Sequence, residues 1–175
     1  VLFFKNFMIN ERLLGVINLV MFWHPPESPL EKQGFYSALS GNAPDKINNG
    51  ISILEKESAT PIRNAYLGSL YMKKAGFPAN VSEKLELFKK GHSLLENEIA
   101  KDPGNTEFRF LRLIIQENAP AILNYNDEIA EDKNIIVENF GRQPDDLQSQ
   151  IRNYAGVSKY FTEADRELLN KKPGI

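Results

Sequence analysis

Residues 88 to 112 read FKKGHSLLENEIAKDPGNTEFRFLR, and this stretch decides the fold of the chain. A helical spacing of apolar residues runs up to Lys101, and a second one begins directly after Asn105. Between them, Pro103 cannot continue a helix, Gly104 favours a left-handed cap, and Asn105 is suited to cap the next helix. The stretch therefore predicts two antiparallel helices joined by a short turn.

The composition is typical of a folded protein with room for one core. Of the 175 residues, 42% are hydrophobic and 25% are charged, which is close to the average for globular domains. The 21 Lys plus Arg and 23 Asp plus Glu give a formal net charge of -2, whereas proteins that bind a phosphate backbone usually carry a basic excess. We therefore expect no nucleic-acid partner. The sequence has no cysteine, which excludes disulfides, thiolate metal sites and cysteine nucleophiles.

An apolar run near the start, residues 13 to 23 (LLGVINLVMFW), has two interpretations. It is too short to span a bilayer, which needs about 20 apolar residues. Its length and the preceding Lys5 and Arg12 suit a signal peptide, which would place the protein in the periplasm or cell envelope. Alternatively, the run is a helix that docks on the rest of a cytoplasmic protein, because its apolar residues share one helical face.

The sequence predicts a division near residue 33. Pro25, Pro26 and Pro29 form a stiff linker, so residues 1–33 are predicted to hold the apolar segment and this linker. Residues 34–175 are predicted to form a single all-helical domain. In this region, Thr60, Ser82 and Thr162 stand at the starts of helical patterns, where such residues cap helices. The alternation typical of strands does not occur, which predicts an all-α fold of about seven antiparallel helices.

One of these helices carries the spacing of a known repeat. Leu67, Gly68 and Tyr71 match Leu-Gly-x-x-Tyr, the pattern of a first repeat helix, while Gly91 and Pro103 match its later small residue and terminal proline. The chain thus resembles the tetratricopeptide repeat (TPR) family, whose repeat is two antiparallel helices over about 34 residues. The resemblance implies antiparallel hairpins in a TPR-like α-α superhelix, in which small residues let paired helices approach closely.

The chain also departs from the repeat pattern at three points. The distance from Leu67 to Pro103 is longer than the family spacing by about 11 residues. Glu98 stands at a position that is usually small, and Arg112 at one that is usually apolar. We therefore expect a short, degenerate solenoid rather than a regular repeat array.

A second resemblance covers most of the body of the chain, to a group of small uncharacterised helical proteins of Bacteroidetes. The stretches that carry it are Phe35-Tyr36 and residues 72 to 76, 108 to 112 and 116 to 120. Members of the group typically carry an N-terminal signal sequence, so this resemblance favours export. It implies no catalytic residue.

Residue types used in catalysis or metal binding do not form a recognisable arrangement. His24 and His92 share no spacing with each other or with a carboxylate pair, which argues against a metal site or triad. Glu128, Glu131 and Asp132 share a helical face that could hold a hard cation or an acid/base pair. We interpret them instead as a solvated acidic face, and we predict no enzyme activity and no cofactor.

The resemblance and the local chemistry together suggest a partner-binding surface. The predicted contact residues are Ser69, Met72, Lys73, Arg109, Arg112 and Gln116. The repeat register implies that the first three face the concave side, where the TPR family binds extended peptides. The two arginines could grip a peptide carboxylate through bidentate hydrogen bonds. Alternatively, they form interhelical ion pairs with Glu98 or Glu117.

The sequence therefore predicts a non-catalytic helical-repeat scaffold that binds a protein or peptide of unknown identity. The alternative is a small-molecule or metal-dependent carboxylate site between helices, made by Glu128, Glu131 or Asp132. A third interpretation is that the helices simply self-associate.

Overall fold

A computed structural model describes residues 29–120 and 123–171 of the chain. The chain divides into two units, Val1–Lys32 and Gln33–Ile175, and nearly all described residues belong to the second. The apolar run at residues 13–23, predicted to be a signal peptide or a docking helix, lies outside the described residues.

The described part of the chain contains eight α-helices and no strand, which confirms the all-α class. The helices are α1 (Pro29–Ser40), α2 (Pro44–Lys56), α3 (Pro61–Lys74), α4 (Val81–Lys101), α5 (Thr106–Asn118), α6 (Ile129–Asn139), α7 (Asp145–Ala155) and α8 (Glu163–Asn170), with a 3-10 helix (Phe140–Arg142) between α6 and α7. Over these same residues, the structure contains no helix that combines the length and apolar character needed to cross a membrane.

Side-chain caps begin three helices where the sequence predicts them. Thr60 accepts a hydrogen bond from the backbone N–H of Arg63 at the start of α3, and Asn105 accepts one from Phe108 at the start of α5. At α8, Thr162 and Asp165 form a reciprocal capping box. Each cap satisfies backbone donors that would otherwise lack a partner and stabilises its helix by about 1 kcal/mol.

The predicted cap of α4 is wrong. Ser82 was expected to cap this helix, but Asn80 does so, and its side chain accepts a hydrogen bond of 2.7 Å from the backbone N–H of Ser82. Asparagine is as good a cap as serine, and the helix begins at Val81, two residues before the position that a Ser82 cap would give.

The turn between α4 and α5 forms without the predicted left-handed glycine. Among the described residues no glycine, Gly104 included, has a positive φ. Instead, the Asn105 N–H donates to the Asp102 carbonyl over 3.1 Å. A four-residue turn closed by this bond, with Pro103 at its second position, needs no left-handed residue. The hairpin itself is confirmed.

Helices α3 and α4 run antiparallel and approach each other closely. The Asn64 side chain in α3 donates to Glu98 in α4 over 2.9 Å, and the Lys90 ammonium in α4 donates to the Tyr71 hydroxyl over 2.6 Å. Gly68 lies opposite Gly91 between these two links. The absence of side chains at both positions lets the two backbones meet.

Helix α5 lies at the centre of the domain. All of its residues from Phe108 to Gln116 are buried, and helices that are buried on every side are surrounded by other elements. Tyrosine hydroxyls tie the surrounding helices to glutamates on their neighbours: Tyr36 and Tyr66 donate to Glu107, Tyr71 to Glu55, Tyr125 to Glu96 and Tyr154 to Glu117. These bonds position α1, α3 and α7 around α5.

Candidate functional site

The two predicted arginines of α5 meet an aspartate of α6 in the interior. Arg112 donates to both carboxylate oxygens of Asp132, with Nε to Oδ2 and Nη2 to Oδ1 each at 2.7 Å. Arg109 Nη1 donates to Asp132 Oδ1 over 3.0 Å. Asp132 is 0% exposed. We call these three residues the arginine–aspartate cluster.

The predicted ion-pair partners of these arginines are wrong. Arg112 also pairs with Glu96 over 3.0 Å, and Arg109 with Glu131 over 3.3 Å. Glu98 is instead held by Asn64 and Lys101 on the α3 side of α4. Glu117 accepts hydrogen bonds from the region of α7 and the turn after it, through Tyr154, Ser158 and Lys159. Glu98 therefore faces α3 and Glu117 faces α7, whereas both arginines bind Asp132 on α6.

The acidic face predicted on α6 is only partly solvated. The Glu131 side chain is 60% exposed, whereas Asp132 is fully buried. Burial raises the pKa of Asp132, although its hydrogen bonds from Arg112 and Arg109 oppose this change. Burial lowers the pKa of Arg112, but its hydrogen bond and charge attraction to Asp132 outweigh that effect and raise it. Both carboxylate oxygens of Asp132 accept hydrogen bonds from arginines within the protein.

Two further residues complete the polar contacts between α5 and α6. Gln116 Nε2 donates to Glu128 Oε2 over 2.6 Å, and Gln116 Oε1 is buried without a hydrogen-bond partner. Across residues 29–120 and 123–171, no group of three or more histidine, aspartate or glutamate side chains is arranged to hold a metal ion.

Most of the predicted partner-contacting residues lie in the interior. Ser69, Met72, Arg109, Arg112 and Gln116 are all buried, so the structure does not place these five on an exposed partner-binding surface. The Ser69 hydroxyl donates to the carbonyl of Ala65 in its own helix, and Met72 packs against Gly91 of α4. The two arginines are buried together with their carboxylate partners, since both bind Asp132 and each pairs with one further glutamate. Lys73 alone of the six is half-exposed.

An open groove lies near Lys73, between the start of α2 and the turn that joins α3 to α4. It has a volume of about 200 Å³ and is lined by Pro44, Ile47, Asn48, Lys74, Phe77 and Pro78. We call it the α2 groove. The Lys73 ammonium donates to Asn42 Oδ1 over 3.3 Å, two residues before Pro44. Phe77 is 41% exposed, although aromatic side chains usually pack in the core.

The groove is hard to predict from the sequence, because Gly76 and Pro78 are residues typical of a helix end. One signal was present. Phe77 is a large apolar residue in a turn, where small and polar residues are more common.

A second groove lies between α6, the 3-10 helix, α7 and α8. It has a volume of about 350 Å³ and is lined by Val137, Glu138, Phe140, Gly141, Gln148, Leu168 and Lys171. We call it the α8 groove. It carries one acidic and one basic side chain, and Leu168 is 49% exposed at its edge.

Comparison of the chain with protein-family models, with curated proteins and with solved structures gives no match in any of the three.

Proposed function

We propose that this chain is a non-catalytic helical scaffold that binds a peptide or protein segment, and that the α2 groove is its contact site. The observation that carries the proposal is the exposure of Phe77 beside an open apolar concavity. Exposed apolar groups next to a concave surface are typical of places where a partner or ligand binds.

The construction of the α2 groove suits an anchoring contact. Ile47 is 0% exposed and forms a rigid apolar base, while Pro44 and Pro78 restrict the backbone at the two sides. Binding sites for protein segments commonly centre on one apolar side chain that fills a preformed pocket, with polar groups at the rim. Asn48 and Lys74 supply such polar groups.

The finer architecture and the location of the protein belong to the same proposal. The antiparallel α3–α4 pair, with Gly68 opposite Gly91, supports a short, degenerate TPR-like superhelix. Location in the cell envelope follows if residues 13–23 act as a signal peptide.

The alternative, a small-molecule or metal-dependent carboxylate site between helices, has less support. Asp132 is bound on both oxygens by arginine donors, and Glu128 is bound by Gln116. Glu131 points to solvent, with its side chain 60% exposed. These acids are not directed into either of the two grooves.

Selection of binding peptides tests the proposed function. A random peptide library displayed on phage is selected against the full chain, and the enriched peptides are labelled and titrated by fluorescence anisotropy. We expect Phe77→Asp to weaken their binding by about tenfold or more, since removal of a central aromatic anchor usually has an effect of this size. The matched control is Val157→Asp, which places the same charge at a side chain that is 82% exposed outside the groove.

Two outcomes would contradict the proposal. One is that no peptide is enriched, and the other is that the enriched peptides bind Phe77→Asp as tightly as they bind the wild type. Circular dichroism of both variants checks that they remain folded.

A further inference from the structure

Three lysines on the helices that form the α2 groove, Lys46, Lys73 and Lys74, make no ion pair with any of the described residues. Lys74 lines the groove. The Lys73 ammonium is bonded only to the Asn42 amide oxygen, and the Lys46 ammonium donates to the Ser37 hydroxyl over 3.5 Å. In the part of the chain that the structure describes, ion pairs form at other lysines, namely Lys90, Lys101 and Lys133, and at none of these three.

The acidic residue nearest to these lysines in sequence offsets only part of their charge. Asp45 is exposed in the first turn of α2, between Pro44 and Lys46. Residues 42–48 and 73–78, which form and flank the groove, hold three lysines and one carboxylate, although the whole chain has a formal net charge of -2. Lys74, which lines the groove, places one of these positive charges directly beside it.

The environment of Lys73 favours an incoming carboxylate. Burial lowers the pKa of Lys73, because a partly desolvated ammonium loses hydration without gaining a negative neighbour. A carboxylate placed beside it would supply the missing charge stabilisation and would itself be oriented by a hydrogen bond.

The volume of the α2 groove sets the size of the apolar group that fits. A cavity of about 150 Å³ in a protein interior holds one benzene molecule. The α2 groove, at about 200 Å³, thus has room for one phenylalanine or leucine side chain and is too small for several.

We propose that the α2 groove binds an acidic peptide segment, which packs one large apolar side chain against Phe77 and places carboxylates beside Lys73 and Lys74. This inference rests on the proposed function and names the chemistry of the partner. The apolar side chain supplies the anchor, and the lysines select its acidic neighbours and increase the rate of encounter.

Three synthetic peptides of equal length test the inference. Each has one central phenylalanine, and its flanking residues are all acidic, all the corresponding amides, or all lysine. Fluorescence anisotropy with the full chain is expected to give the tightest binding for the acidic peptide, followed by the amide peptide and then the lysine peptide. Added salt should weaken the binding of the acidic peptide, because exposed charges are screened within about 8 Å at physiological ionic strength.

Charge reversal at the groove provides the second arm of the test. The double variant Lys73→Glu, Lys74→Glu should bind the acidic peptide about tenfold more weakly, from the loss and inversion of two exposed charge contacts. The control Lys89→Glu reverses an exposed charge on α4 that does not line the groove, and it should bind as the wild type does.

The other possible outcomes overturn the inference, and they show separately whether the proposed function also fails. Equal affinity for the acidic and amide peptides would overturn the preference for acidic residues. If Phe77→Asp also abolishes the binding of both peptides, the proposed function still stands. Preference for the lysine peptide would overturn the inference directly. If none of the three peptides binds, the inference is also overturned, and the library selection then decides the proposed function.

Discussion

Gly68 and Gly91 face each other where α3 crosses α4, and neither position has room for a side chain. A Cβ built on Gly68 would lie 2.7 Å from the carbonyl oxygen of Gly91 and 2.9 Å from the backbone nitrogen of Leu95. A Cβ on Gly91 would contact the carbonyl oxygen of Gly68 and would lie 2.8 Å from the backbone nitrogen of Met72. Since these neighbours are backbone atoms on regular helices, they cannot move aside as a flexible side chain can.

Replacement of Gly91 should therefore separate the two helices. We expect Gly91→Ala to lower the free energy of unfolding by about 1–3 kcal/mol through overpacking, although alanine improves helix propensity by up to about 1 kcal/mol. Urea denaturation followed by circular dichroism measures the change. Gly104→Ala is the control, because a Cβ there meets nothing within 4 Å and the residue has no positive φ. If Gly104→Ala lowers the free energy of unfolding as much as Gly91→Ala does, this explanation is contradicted.

The arginine–aspartate cluster predicts unequal effects for two adjacent acids of α6. Asp132→Ala removes the fully buried carboxylate that binds both Arg109 and Arg112. The two buried arginines then keep only the partly exposed Glu96 and Glu131 as carboxylate partners among the described residues. We expect a loss of about 3–5 kcal/mol in the free energy of unfolding. Glu131→Ala removes an acid that is 60% exposed and pairs with Arg109 alone, so the loss should stay below about 1 kcal/mol.

Urea denaturation of the two variants tests this difference. Similar small losses for both would show that the buried cluster contributes no more than a surface ion pair.

The acid dependence of stability should include a contribution from Glu98. Burial raises the pKa of this carboxyl, but hydrogen bonds from Asn64 and Lys101 more than offset the effect, and the pKa lies below its ordinary value. A carboxyl with a lowered pKa in the folded state stabilises the fold above its unfolded pKa of about 4.3. This stabilisation is lost as the pH falls through the folded pKa.

The stability difference between the wild type and Glu98→Gln should thus be largest above about pH 5 and shrink on acidification. Urea denaturation at a series of pH values measures it. Glu86→Gln makes the same substitution at an exposed carboxyl of the same helix and serves as the matched control. A Glu98→Gln difference that is constant with pH would contradict the assignment.

Local signals in the sequence predicted much of the fold. The Asp-Pro-Gly-Asn turn, the caps at Thr60, Asn105 and Thr162, and the helical spacing were sufficient to place the hairpins, because each depends on residues close in sequence. The small residues Gly68 and Gly91 were recognised from their spacing, and the structure brings them together. The caps and the turn form between residues that are only a few positions apart, which is why the sequence alone could predict them.

The polar interior could not be predicted in the same way. Arg112 contacts Asp132 because α6 runs back along α5 and is rotated about its own axis so that Asp132 faces the arginine. Neither the length of the segment between α5 and α6 nor the spacing of charges indicates that Asp132 faces the arginines. Glu117 could have been excluded as an interhelical partner, because it lies on the same helix as both arginines. The α2 groove was missed for a similar reason, since it joins the start of α2 to a turn about 30 residues later.

Chemical-shift mapping of the acidic peptide on the ¹⁵N-labelled full chain tests the central claim most directly. The proposed binding mode predicts the largest amide shifts at residues 42–48 and 73–78, which surround the α2 groove. Shifts centred on Val137, Gly141 and Leu168 would place the peptide in the α8 groove and contradict the claim, as would the absence of shifts at saturating peptide.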